Sequence, residues 1–88
     1  MDGSLDAIGA AVRVLLAERL HVAPSDVPAD AAASLQDIGL DSTAILSLVV
    51  GLEDRFDIEI PDLDITVANF GTVAAITRYV ADRTAAPQ

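Results

Sequence analysis

The chain has no cysteine, no lysine and no tryptophan, and its aromatic content is two phenylalanines and one tyrosine in 88 residues. Without cysteine there is neither a disulfide framework nor a thiolate metal site, which fits a reducing compartment. Without lysine every basic residue is an arginine, and five arginines face fourteen acids, for a net charge of −9. Such a chain repels phosphate backbones and gains nothing from counterion release, so nucleic acid is excluded as a partner. The same sign excludes anionic membrane surfaces. An acidic domain suits a basic protein partner through long-range steering, but acidity also serves simply to keep a small apolar domain in solution, and charge alone leaves both open. No apolar run approaches the roughly 20 residues needed to cross a bilayer, and the opening MDGSLD is acidic where a secretion signal is basic. A cytoplasmic monomer is expected. Arginine and alanine without lysine also fit a GC-rich bacterial genome.

What is present is aliphatic. Hydrophobic residues make up 52%, so the core must be Leu, Ile, Val and Ala, which suit closely packed helices. At this length the chain is one small domain, 1–88, with an ordered core over about 4–84 and a loose tail over 85–88. Leu5, Ile8, Val12, Leu15, Leu16 and Leu20 recur at the spacing of one helical face, with Ser4 as N-cap. A long connection follows, rich in Pro and small polar residues, with Val27, Leu35 and Ile38 as its anchors and a helical turn near Ser34–Ile38. A second helix is predicted over Ser42–Phe56, N-capped by Asp41, with Ile45, Leu48, Val49, Leu52 and Phe56 facing the core. Pro61 blocks its continuation, and IEIPDLD reads as an extended or turning linker. A brief helical segment over Ile65–Asn69 precedes a last helix capped by Thr72, with Val73, Ile76 and Val80 on one face and Tyr79 at its edge. No strand pattern and no repeat is visible. The predicted fold is all-α: a small four-helix bundle, three main helices plus a short third one, with a long loop between the first two.

Little in the sequence offers catalysis. The single histidine, His21, follows the first helix, where a solvated C-terminal position accounts for it. Glu53 and Asp54 are adjacent on a helix and do not converge on one substrate. DLDIT, from Asp62, has the opening acids of a calcium loop, but Val67 stands at the sixth position and Val73 at the twelfth, where glycine and glutamate are required. No metal site is expected, and the chain is not expected to be an enzyme.

Ser42 remains. A serine beside an aspartate before a helix is ordinarily capping chemistry. Here Asp41 can do the capping, which leaves the Ser42 hydroxyl free at the first helical position. A phosphate ester on that oxygen would stand at the positive end of the helix, beside unpaired N–H groups.

DIGLDS followed by LVVGLEDRFDIEIPD closely resembles the acyl carrier proteins, whose signature is an Asp-Ser pair at the start of the second helix. The resemblance extends over essentially Leu5 to Arg83. It implies a free-standing carrier with a covalent 4′-phosphopantetheine arm on Ser42, with Gly39 and Asp41 falling on the motif. Its partners are then a phosphopantetheinyl transferase and the loading enzymes, synthases or transferases, acyl or aminoacyl, that dock through basic surfaces. The chain departs from the family at Thr43, where an apolar residue is usual, and at Ala44 and Ser47, where fatty-acid carriers place acids. NFGTV before the last helix departs as well. These departures point away from housekeeping fatty-acid synthesis and toward a polyketide, nonribosomal peptide or modified fatty acid pathway. Leu46 and Val50 form a second apolar face on the serine-bearing helix. With Thr43, Ser47, Glu53 and Asp54 they make the expected docking surface, although scattered exposed apolar residues are also common on any protein. The competing possibility is a helical regulatory module that shares the fold and is never modified.

Overall fold

A computed structural model describes residues 5–85, and the Ser4 cap and the end of the expected loose tail lie outside the described residues. The described residues form four α-helices: α1 (Leu5–Leu20), α2 (Ser42–Phe56), α3 (Val67–Phe70) and α4 (Val73–Ala85). Three short 3₁₀ turns, Pro24–Asp26, Leu35–Ile38 and Asp62–Asp64, interrupt the connections, and no strand occurs among the described residues. The all-α bundle with a long first loop is therefore the observed architecture. α1 is the central element: it packs along both α4 and α2, which touch each other only slightly, while α3 packs on α4.

Helical periodicity explains the core. Ile8, Val12, Leu15 and Leu16 of α1 meet Leu48, Val49 and Leu52 of α2 and Val73, Ile76 and Val80 of α4, all buried in one cluster. Leu5, expected on the same face of α1, is exposed, because at the first turn of the helix no described element covers it. Leu20, Ile45 and Phe56 are only partly buried and line the edge of the cluster. Neither long N-terminal helix ends on glycine: His21 (φ 57°) and Asp57 (φ 55°) take the left-handed conformation after α1 and α2. The amides that follow, Val22 and Ile58, turn back to the Ala17 and Glu53 carbonyls, the reversal that satisfies the last carbonyls of a helix.

The long connection is fastened rather than loose. Val27, Leu35 and Leu40 are buried beneath it. The Arg13 guanidinium of α1 donates to the carbonyls of Pro28 and Ala29. Leu35 N–H donates to the Gly71 carbonyl (2.9 Å) and Ala74 N–H to the Ala31 carbonyl (2.9 Å), tying the loop to the corner between α3 and α4. Gly71 is required at that corner, because a Cβ there would lie 2.6 Å from the Val67 carbonyl oxygen.

The connection between α2 and α3 differs most from the sequence expectation. It is a pinned strap, with Ile60 buried under it. Glu53 accepts from Ile60 N–H (2.9 Å) and Arg83 donates to the Glu59 carbonyl (2.8 Å). Tyr79 donates to the Asp64 carboxylate (2.6 Å), and Arg83 lies 3.8 Å from the same oxygen. Burial, with this hydrogen bond to a carboxylate, pushes the Tyr79 phenol up to about 12. Thr66 caps α3 by accepting from Asn69 N–H, so that helix starts at Val67 rather than Ile65 and extends to Phe70. Phe70, which no periodic pattern marked, is wholly buried against Tyr79, ring centroids 5.2 Å apart.

Candidate functional site

The serine stands where a tightly specified turn delivers the chain to a helix. Leu35 and Leu40 bury the two ends of that turn. Ser34, just before it, accepts from Gln36 N–H, and Gly39, at φ 101°, returns its N–H to the Gln36 carbonyl while Leu40 N–H returns to the Leu35 carbonyl. A left-handed residue at this point favours glycine. Asp41 follows in extended conformation and caps α2, its Oδ1 accepting from Ala44 N–H (2.9 Å) and its carbonyl from Ile45 N–H (2.8 Å). Capping by Asp41 is thus as the sequence led one to expect.

Ser42 is the first residue of α2 and is exposed. Its hydroxyl bonds to no described residue, and the N–H groups of Ser42 and Thr43 find no acceptor among them. Two unpaired donors at the positive end of a fifteen-residue helix favour negative charge beside the serine oxygen. The site is open: the groove of about 500 Å³ between α1 and α4, floored by Gly9, Ala10, Val73 and Ala74, includes no α2 residue. Among the described residues no histidine or carboxylate is hydrogen-bonded to the Ser42 hydroxyl.

From Ser42, residues four and eight positions on are Leu46 and Val50, on one stripe of the helix surface. They are 58% and 52% exposed, and Thr43 and Asp54 are exposed beside them. Ser47 is partly buried. Glu53 is partly buried and its carboxylate accepts from Ile60 N–H, so it also ties the connection after α2 to the helix. A reach of seven residues forward to a loop amide leaves no mark in helical periodicity. The pairing of Glu53 with Ile60 was not recognisable from spacing.

The family model for the phosphopantetheine attachment site matches residues 10–80. The chain belongs to the acyl carrier protein family. The match runs from within α1 to near the end of α4 and contains the whole of α2 with Ser42. The chain is 38% identical over 74 residues to an acyl carrier protein of Bdellovibrio bacteriovorus, covering 84% of the chain and 91% of the relative. It is 34% identical over 69 residues to an acyl carrier protein of Wolinella succinogenes, covering 78% and 87%. A Sulfurovum acyl carrier protein is 43% identical over 51 residues, 58% and 67% of the two chains. Membership implies a covalent 4′-phosphopantetheine, and an exposed, unpartnered serine hydroxyl beside free N–H groups fits a phosphate ester. Bacterial relatives also suit the composition.

Proposed function

We propose that the protein is a non-catalytic carrier whose phosphopantetheine is attached at Ser42. The observation that carries this assignment is the division of labour at the start of α2: Asp41 does the capping, and the Ser42 oxygen is left exposed without a partner. The arm supplies a thiol on which an acyl or aminoacyl group is held as a thioester. Asp41 fixes the helix start, and the Ser42 and Thr43 N–H groups favour the phosphate charge. Tethering raises the local concentration of the intermediate at each docked enzyme. The chain acts as one carrier domain, a cytoplasmic monomer.

Partners are a phosphopantetheinyl transferase and enzymes that load or consume the intermediate, docking on the stripe of Thr43, Leu46, Val50 and Asp54. Ser47 and Glu53 stand at its margin, and the domain's net charge of −9 favours partners with basic docking surfaces. The small, neutral side chains at Thr43, Ala44 and Ser47 support a specialised polyketide, nonribosomal peptide or modified fatty acid pathway over bulk fatty-acid synthesis.

Purified apo protein incubated with coenzyme A and a phosphopantetheinyl transferase should gain one phosphopantetheine group by intact mass. Ser42→Ala should keep the helical spectrum, since Asp41 still caps, and gain nothing. Loading of the alanine variant would move the attachment elsewhere, and a folded wild type that resists loading would favour an unmodified regulatory module.

A further inference from the structure

The two most exposed large apolar side chains among the described residues are not on α2. They are Leu63, 92% exposed, and Val67, 68% exposed, four positions apart where the strap enters α3. A lone exposed leucine is ordinary, but the backbone under this one is fixed. Asp64 N–H donates to the Pro61 carbonyl (2.9 Å) and Ile65 N–H to that of Asp62 (3.1 Å). The Asp64 carbonyl accepts from Asn69 (2.8 Å), and its carboxylate from Tyr79 (2.6 Å). The turn around Leu63 is thereby closed on itself and held through Asp64 to α3 and α4, while the leucine side chain is left in water. This arrangement gives the isolated domain no burial, yet an anchor already ordered before binding loses little entropy on binding.

The surroundings of Leu63 specify what fits over it. Asp62 and Glu59 are both exposed nearby in the strap, so the complementary surface is an apolar socket with a cationic rim. A stable interface also takes about 800 Å² from each partner, on the order of 20 residues. One stripe of a fifteen-residue helix falls short of that.

We propose that Leu63, backed by Val67, is a second anchor for the enzyme that loads Ser42, a phosphopantetheinyl transferase with an Arg- or Lys-rimmed apolar socket. The proposal rests on the carrier reading. The transferase is the occupant because it acts before any arm or cargo is present and can recognise the carrier only through its protein surface.

The test is steady-state loading of the apo protein by a transferase of broad carrier range, comparing wild type, Leu63→Ser, Leu63→Met and Val67→Ser. Leu63→Ser should raise the KM for the carrier about tenfold, the scale of a lost interface anchor, with kcat and Tm unchanged. Val67→Ser should act in the same direction but less, and Leu63→Met should restore most of the affinity. Added salt should raise the wild-type KM. Equal KM values for wild type and Leu63→Ser overturn the anchor and leave the carrier assignment standing. A lower Tm in Leu63→Ser also overturns it, by making the leucine part of the fold. A wild type that is not loaded at all removes the carrier reading and the anchor with it.

Discussion

The two apolar stripes of α2 are built from the same residue types and end in opposite surroundings. Leu48 and Leu52 have no exposed surface, whereas Leu46 and Val50, on the same four turns of helix, are more than half exposed. The difference lies in what covers them. α1 lies along one side of α2, and no described element covers the other, which begins with Ser42. Hydrophobicity alone therefore does not distinguish a core from a docking surface. The neighbours decide, and each stripe should respond to truncation in its own way.

The largest effect is expected inside. Leu52→Ala removes a side chain with no exposed surface and should cost about 2–5 kcal/mol, a large share of the stability of so small a domain. Leu46→Ala should cost less than about 1 kcal/mol and instead slow transfer by a docked enzyme. Thermal melts and loading rates measured on both variants in parallel check the contrast. Equal losses of Tm would make the outer stripe part of the core.

An intermediate effect is expected at Glu53, at the border of the two stripes. Glu53→Ala leaves the partly buried Ile60 amide without its acceptor and should cost about 1–3 kcal/mol, the penalty for an unsatisfied donor. Glu53→Gln keeps an acceptor oxygen and should recover most of it. If both variants melt like wild type in denaturant titrations but load poorly, Glu53 belongs to the docking stripe after all.

The smallest effect is expected at the strap, in alkali. The Tyr79 proton is held up to about 12 against an ordinary 10.0, so the folded state binds it more tightly than the unfolded chain does. The stability from this linkage is fully present below pH 10 and is lost as pH rises through about 12. Tyr79→Phe should flatten the fall in Tm between those values while lowering the neutral-pH Tm slightly. An identical alkaline slope in the variant would show that the phenol is not the linked group.

Periodicity was enough for the long helices. Leu5–Leu20 and Ser42–Phe56 appear with the expected bounds, Asp41 and Thr72 cap as their chemistry suggests, and the α4 face of Val73, Ile76 and Val80 is buried. These features are local: they need only a 3.6-residue repeat and a side-chain oxygen next to free N–H groups. The region from Asp57 to Gly71 was much less legible. Pro61 suggested an extended or turning linker before a brief helix, yet Ile60 and Phe70 are core residues and the connection is pinned to α4. Each of those contacts joins residues far apart in sequence, Glu59 to Arg83 or Asp64 to Tyr79, and so has no period. Leu5 erred in the other direction, because a periodic position at a helix end is buried only if something lies over it.

By itself the sequence determined three long helices, the cap that frees Ser42, and a strongly acidic net charge, because each follows from local geometry or from summed composition. Only the tertiary structure decided that Ile60 and Phe70 are core, that Glu53 holds the Ile60 amide, and that Leu63 is held out in water. The reason is physical: burial and hydrogen-bond partnership belong to pairs of segments, and the chain's own order does not say which segments meet.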